Sequence, residues 1–137
     1  MEITNDSFIK CFDSFKNLNH PPSLKPWLRR IAVNTAIDYY RKNKRFQNHL
    51  EADGETPVFD EKNAPDQLAY EDILKLLHQL PEDQHLVFNL YEVEGYNHKE
   101  VADRLEITES SSRVYLMRAK LKLRQLIQQH MEEYAGR

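Results

Sequence analysis

Residues 97–124, NHKEVADRLEITESSSRVYLMRAKLKLR, constrain the fold more than any other stretch, because they punctuate two helices at fixed offsets with almost no room between them. Asn97 is a good N-cap, and Glu100 stands three residues later, where the reciprocal partner of a capping box belongs. Val101, Ala102 and Leu105 give the first helix an apolar face, with the small Ala102 where two crossing helices approach closely. Glu106 and Ile107 form a short turn, and Thr108 can cap the next helix. Such a turn usually carries Gly, and a non-Gly residue held at positive φ costs about 1 kcal/mol. Beyond Glu109 the charge changes sign: Arg113, Arg118, Lys120, Lys122 and Arg124 follow with no acid among them. A helix presenting hydroxyls and then cations suits a DNA major groove bordered by phosphates, although a solvated basic face reads the same way.

A second long helix is expected over PWLRRIAVNTAIDYYRKNKR, residues 26–45, with Pro26 in its first turn. Leu28, Ala32, Ala36 and Tyr40 form one i, i+4 row, with Trp27 and Ile31 beside it, and the helix ends in a cluster of cations. Favourable interaction with the helix dipole accounts for part of that cluster. Before it, Phe8, Ile9, Phe12 and Phe15 lie at helical spacing, and the segment from Asn19 to Ser23 with its two prolines breaks the pattern. After it, Pro65-Asp66 and Pro81-Glu82-Asp83 mark two further helix starts. The first would bury Ile73, Leu76, Leu77 and Leu80. The second would point Leu86, Leu90 and Val93 inward and end at Gly95. In the last helix Leu116, Ala119, Leu123, Leu126 and Ile127 form the expected buried stripe.

The fold class that follows is all-α: two small helical modules joined by a flexible linker, the second containing the helix-turn-helix. Charge divides the chain in the same way. Residues 1–48 carry nine Lys/Arg against four Asp/Glu, whereas residues 49–72 carry one against eight. Modules at 1–48 and 65–137 are expected, with an acidic, aperiodic linker at 49–64. The net charge of −3 does not by itself announce a nucleic-acid binder. Cys11 is the single cysteine, which excludes an internal disulfide and a cysteine-based zinc cluster. The six His, at 20, 49, 78, 85, 98 and 130, lack metal-ligand spacing, and there is no Gly-rich phosphate loop or nucleophile elbow. No enzyme, cofactor, metal or small-molecule substrate is expected. Without a signal-peptide pattern or a run of roughly 20 apolar residues, the simple expectation is a cytoplasmic protein with no membrane insertion.

Both helical segments resemble one family. PWLRRIAVNTAIDYYRKNKR is similar to the central helix of region 2 in the extracytoplasmic-function sigma factors of bacterial RNA polymerase. LPEDQHLVFNLYEVEGYNHKEVADRLEITESSSRVYLMRAKLKL, residues 80–123, is similar to their region 4. The resemblance runs from about Asn5 to Ile127 and implies core RNA polymerase, promoter DNA and an anti-sigma factor as partners. In region 4 it implies that Ser110, Ser111, Ser112 and Arg113 lie near bases or phosphates of the −35 element, with Arg118 and Lys120 on the backbone. In region 2 it implies that Asn34 sits at the pocket for an unstacked −10 base, that the loop from His20 to Lys25 closes over it, and that Arg29, Arg30, Arg41, Lys42 and Lys44 follow phosphates. Tyr39 or Tyr40 would support stacking. Asp6, Phe8 and Ile9 match the helix that docks on polymerase. Family members usually carry one helix and most of another before the position of Asn5. The chain is therefore expected to be a shortened form that leaves two or three of its large N-terminal apolar side chains partly exposed.

Three functions compete at this point. The first is a sigma factor that directs promoter-specific initiation. The second is a stand-alone helix-turn-helix regulator, which has no need of the RIAVN segment. The third is a decoy that binds polymerase or an anti-sigma factor but cannot melt promoters.

Overall fold

The computed structural model describes residues 2–17, 23–44 and 69–136. The linker expected at 49–64, the helix start at Pro65-Asp66 and the first half of the loop from His20 to Lys25 lie outside the described residues. Every element among the described residues is helical: α1 (Glu2–Phe15), α2 (Leu24–Lys44), α3 (Tyr70–Leu77), α4 (Glu82–Phe88), a π-helical segment continuing it (Asn89–Val93), α5 (His98–Leu105) and α6 (Glu109–Ala135). The chain divides into two compact units, residues 1–50 and 51–137. None of these helices is long and apolar enough to cross a membrane.

In the first unit α1 packs against α2. The buried side chains of α2 are Thr35, Ile37 and Tyr40, and the Thr35 hydroxyl is satisfied by donating to the Ile31 carbonyl at 2.7 Å. Trp27 is half-buried, its ring tilted against Phe15 with centroids 6.5 Å apart. The expected row is buried only at Tyr40: Leu28 and Ala32 are exposed, and Ile37 lies inside instead. One neighbouring helix covers only part of a helix circumference, so half of an i, i+4 row stays in solvent. Phe8, Ile9, Phe12 and Phe15 are all exposed, by 59–71%. More apolar surface is therefore open on α1 than its spacing suggested.

The second unit is built around α6, against which α3, α4 and α5 all pack. Val87, Leu90, Val101 and Leu105 are almost wholly buried. Each contributes about 1.5–3 kcal/mol relative to exposure. Ala119 has no exposed surface and meets Leu77 and Leu80, with Phe88 and Leu123 packed around them. A residue that small lets α3 and α6 approach closely. Leu76, Leu77 and Leu80 are buried as their spacing demands, but Ile73 is 37% exposed at the solvent edge of α3.

Two helices end at a left-handed residue. Gly95 (φ 79°) follows the π segment, and the Tyr96 N–H donates to the Leu90 carbonyl at 3.0 Å. Glu106 (φ 56°, ψ 42°) follows α5, and the Ile107 N–H donates to the Ala102 carbonyl at 3.1 Å. The second is the six-to-one bond of a glycine-type helix stop made without glycine, whereas the first has the glycine and spans one residue more, after the π turn. The strain anticipated at the turn is therefore present. Glu106→Gly is expected to raise the stability of this unit by about 1 kcal/mol, because left-handed backbone is open to glycine without a Cβ clash. Urea denaturation would read the change, and an unchanged or lower midpoint would show that the Glu106 side chain compensates the strain.

Candidate nucleic-acid interface

The capping box at the start of α5 is complete. The Asn97 side chain accepts from the Glu100 N–H at 2.9 Å, and Glu100 Oε2 accepts from the Asn97 N–H at 2.8 Å. Three residues beyond the left-handed turn, α6 starts under its own cap: Thr108 Oγ1 accepts from the Ser111 N–H at 3.0 Å and donates to Ser111 Oγ at 2.9 Å. These two caps place the first turns of α6 at the end of α5. Helix-turn-helix modules present their second helix to a major groove from this arrangement.

The residues expected to read DNA separate by side. Ser110 and Arg113 are exposed, and Ser111 is half-buried by its cap. Arg113 Nη2 donates to Glu109 Oε2 at 3.1 Å, one turn back on the same exposed face. Arg118 is exposed a turn further on. Ser112 corrects the expectation. Its side chain has no exposed surface and faces α5, where its Oγ lies 2.9 Å from His98 Nδ1. Successive residues on a helix point about 100° apart, so three neighbouring serines cannot share one groove-facing side. Lys120 is paired within the unit, its ammonium 2.6 Å from Glu92 Oε1 on the π segment, which engages one of its three donors and leaves the partly exposed head open to a phosphate. Glu92 is its anchor.

The π segment explains the placement of Glu92. A π turn carries one residue more than an α turn, so the side chains after it leave the 3.6-residue phase. Leu90 remains inside, whereas Val93, expected inward, is 54% exposed. Tyr91 stacks on His98, with centroids 4.4 Å apart and planes 26° apart.

Sequence reasoning gave His98 no role. Burial lowers its pKa from 6.5, Arg113 and Lys120 lower it further, and Glu109 alone opposes them. Burial also lowers His85, with His78 beside it in an edge-to-face contact at 5.5 Å. Both rings bind a proton less readily folded than unfolded. The native unit is therefore fully stabilised above pH 6.5 and loses stability as pH falls through the two lowered values. A thermal melt repeated across that range is expected to show the midpoint falling on the acid side, and a flat profile would refute the lowered values.

In the first unit Asn34 is exposed and opens onto a groove of about 270 Å3. Lys10, Asp13 and Ser14 of α1 line that groove together with Ile31 and Thr35 of α2. Arg29, Arg30 and Lys42 are exposed. Lys44 lies over the Tyr40 ring at 5.6 Å, and Arg41 is half-buried. Arg30, Asn34 and Arg41 are spaced by four and seven residues and so fall on one side of α2. Tyr40 is buried and cannot offer its ring to a base, whereas Tyr39 is half-exposed. Asp6, Phe8 and Ile9 are exposed on α1.

Residues 1–46 match the family model described as Sigma-70 region 2, and residues 70–123 match Sigma-70, region 4. The chain is 30% identical over 117 residues to the ECF RNA polymerase sigma factor SigX of Bacillus subtilis, covering 80% of this chain and 60% of that protein. It is 26% identical over 145 residues to the "Probable RNA polymerase sigma factor RfaY" of Xanthomonas campestris pv. campestris, covering 98% of this chain and 35% of that protein. The chain thus spans between about a third and three fifths of the length of these two relatives. A solved structure of the sigma factor RpoE in complex with the anti-sigma factor NepR from Bartonella quintana is similar with a TM-score of 0.49 and 23% identity, over 93% of this chain and 79% of that one. With region 2 and region 4 both present, in that order, the chain belongs to the extracytoplasmic-function group of the sigma-70 family.

Proposed function

We propose that this chain is a transcription initiation factor that binds core RNA polymerase in the cytoplasm and directs it to promoters, without catalysing a reaction itself. The observation that carries this reading is the pairing of two features in one chain. One is a capped helix-turn-helix with Arg113 and Arg118 exposed on α6. The other is a region 2 helix with Asn34 exposed on the side that carries Arg30 and Arg41. The region 4 unit reads the −35 element through Ser110, Ser111 and Arg113, with Arg118 and Lys120 on phosphates. The region 2 unit takes an unstacked −10 base at Asn34, with Arg29, Arg30, Arg41, Lys42 and Lys44 along the strand. Asp6, Phe8 and Ile9 face polymerase, and the open apolar side of α1 also suits an anti-sigma factor.

Run-off transcription with core polymerase and a library of promoter fragments tests the proposal. Transcripts that depend on the chain and start at a shared position are the expected result. Asn34→Ala is expected to abolish permanganate reactivity at the start site while duplex binding through region 4 persists. Promoter-independent transcription, or opening undiminished in the variant, would refute the assignment.

A further inference from the structure

His98 joins three helical elements of unit 2 at one point. It is the first residue of α5, its ring stacks on Tyr91 of the π segment, and its Nδ1 lies 2.9 Å from the buried Ser112 Oγ of α6. Ser112 sits between Ser111 and Arg113, the residues that the region 4 reading places at the DNA. Resting on that reading, we infer that His98 is a positioning residue for α6, holding the Ser112 hydroxyl so that Ser110, Ser111 and Arg113 are presented together, and that adding a proton to its ring loosens this hold.

The chemistry follows from the hydrogen-bond inventory. A neutral ring protonated at Nε2 accepts the Ser112 hydrogen at Nδ1. A charged ring can only donate. The Ser112 hydrogen must then find another acceptor in a site with no exposed surface. The charged ring would also face Arg113 and Lys120 of α6 and the positive end of α5, where it is the first residue. On the other side stand Glu109, already bonded to Arg113, and the face of Tyr91. Glu92 is held by Lys120, and the neighbours on α5 itself, Lys99 and Glu100, are exposed, with Glu100 engaged in the capping box. The groups that disfavour a charge at His98 outnumber those that favour it. The proton therefore enters at the expense of the α5–α6 contact.

The test uses the full chain. Its probes are a duplex selected by the chain from a random library and a scrambled duplex of equal length, compared by fluorescence anisotropy at fixed ionic strength. The wild type is expected to lose about fivefold or more of its preference for the selected duplex between about pH 7.5 and about pH 5.5. His98→Asn keeps an amide near the Nδ1 position but does not titrate, and its preference should stay within about twofold over that range. Ser112→Ala should lower the preference already at the upper pH, with circular dichroism as the control that its fold is kept. Equal pH profiles for wild type and His98→Asn, or an unchanged preference in Ser112→Ala, would overturn the inference. If no duplex is preferred at any pH, the sigma-factor reading fails separately. The inference is then judged by NMR on the free chain: a His98 ring titrating at its ordinary value, with the Ser112 amide unmoved, would overturn it, whereas a lowered titration tracked by that amide would uphold the latch.

Discussion

Leu105→Ala is expected to remove about 2–5 kcal/mol from the stability of the second unit. Leu105 has no exposed surface and is the last helical residue of α5, directly before the strained Glu106. Truncation would leave a void where the turn is pinned, and the backbone cannot collapse into it without disturbing the bond from Ile107 to Ala102. Domains of this size are stable by only about 5–15 kcal/mol, so the loss is a large fraction of the whole. At about 4–8 °C per kcal/mol, the melting point should fall by roughly 8–40 °C. A loss below about 1 kcal/mol would mean that the site closes over the void, and that α5 is held by Val101 and the capping box instead.

Arg113→Ala is expected to cost about 1–3 kcal/mol in binding to a preferred duplex, and to relax the preference at one base position. Glu109 already holds the guanidinium at one nitrogen, which restrains the side chain while leaving its other donors for a guanine edge. The exposed ion pair itself is worth little, about 0–1 kcal/mol, so its loss cannot account for an effect of that size. Lys120→Ala provides the contrast. A phosphate contact carries no sequence information, so affinity should fall for all duplexes alike and the salt slope should shrink by about one. Equal and salt-independent effects from both variants would refute this division of roles.

What was legible in the sequence was local. The capping box of Asn97 and Glu100 and the Thr108 cap involve partners three residues apart, so spacing alone identifies them. The buried stripe of α6 at Leu116, Ala119 and Leu126 follows from an unbroken α period. Ser112 was misread because Ser110, Ser111 and Ser112 carry the same chemistry, and only the position of α5 decides which of them turns inward. Val93 was misread because its inward placement assumed an α phase from Glu82 onward, and the π segment breaks that phase. Glu92 and His98 have no signal in the sequence at all, since their partners lie 28 and 14 residues away and meet them only once α6 is packed.

The π segment ties two contacts to a single event in the gene. Deleting the Asn89 codon would return this stretch to an ordinary α turn and swing Tyr91 and Glu92 by about 100° relative to α4. The ring under His98 and the carboxylate on Lys120 would leave together, although every side chain involved would still be encoded. No point substitution has that reach. In this stretch an alignment gap is therefore more damaging than a mismatch, and a homologue lacking the extra residue should be presumed to orient its reading helix by other means.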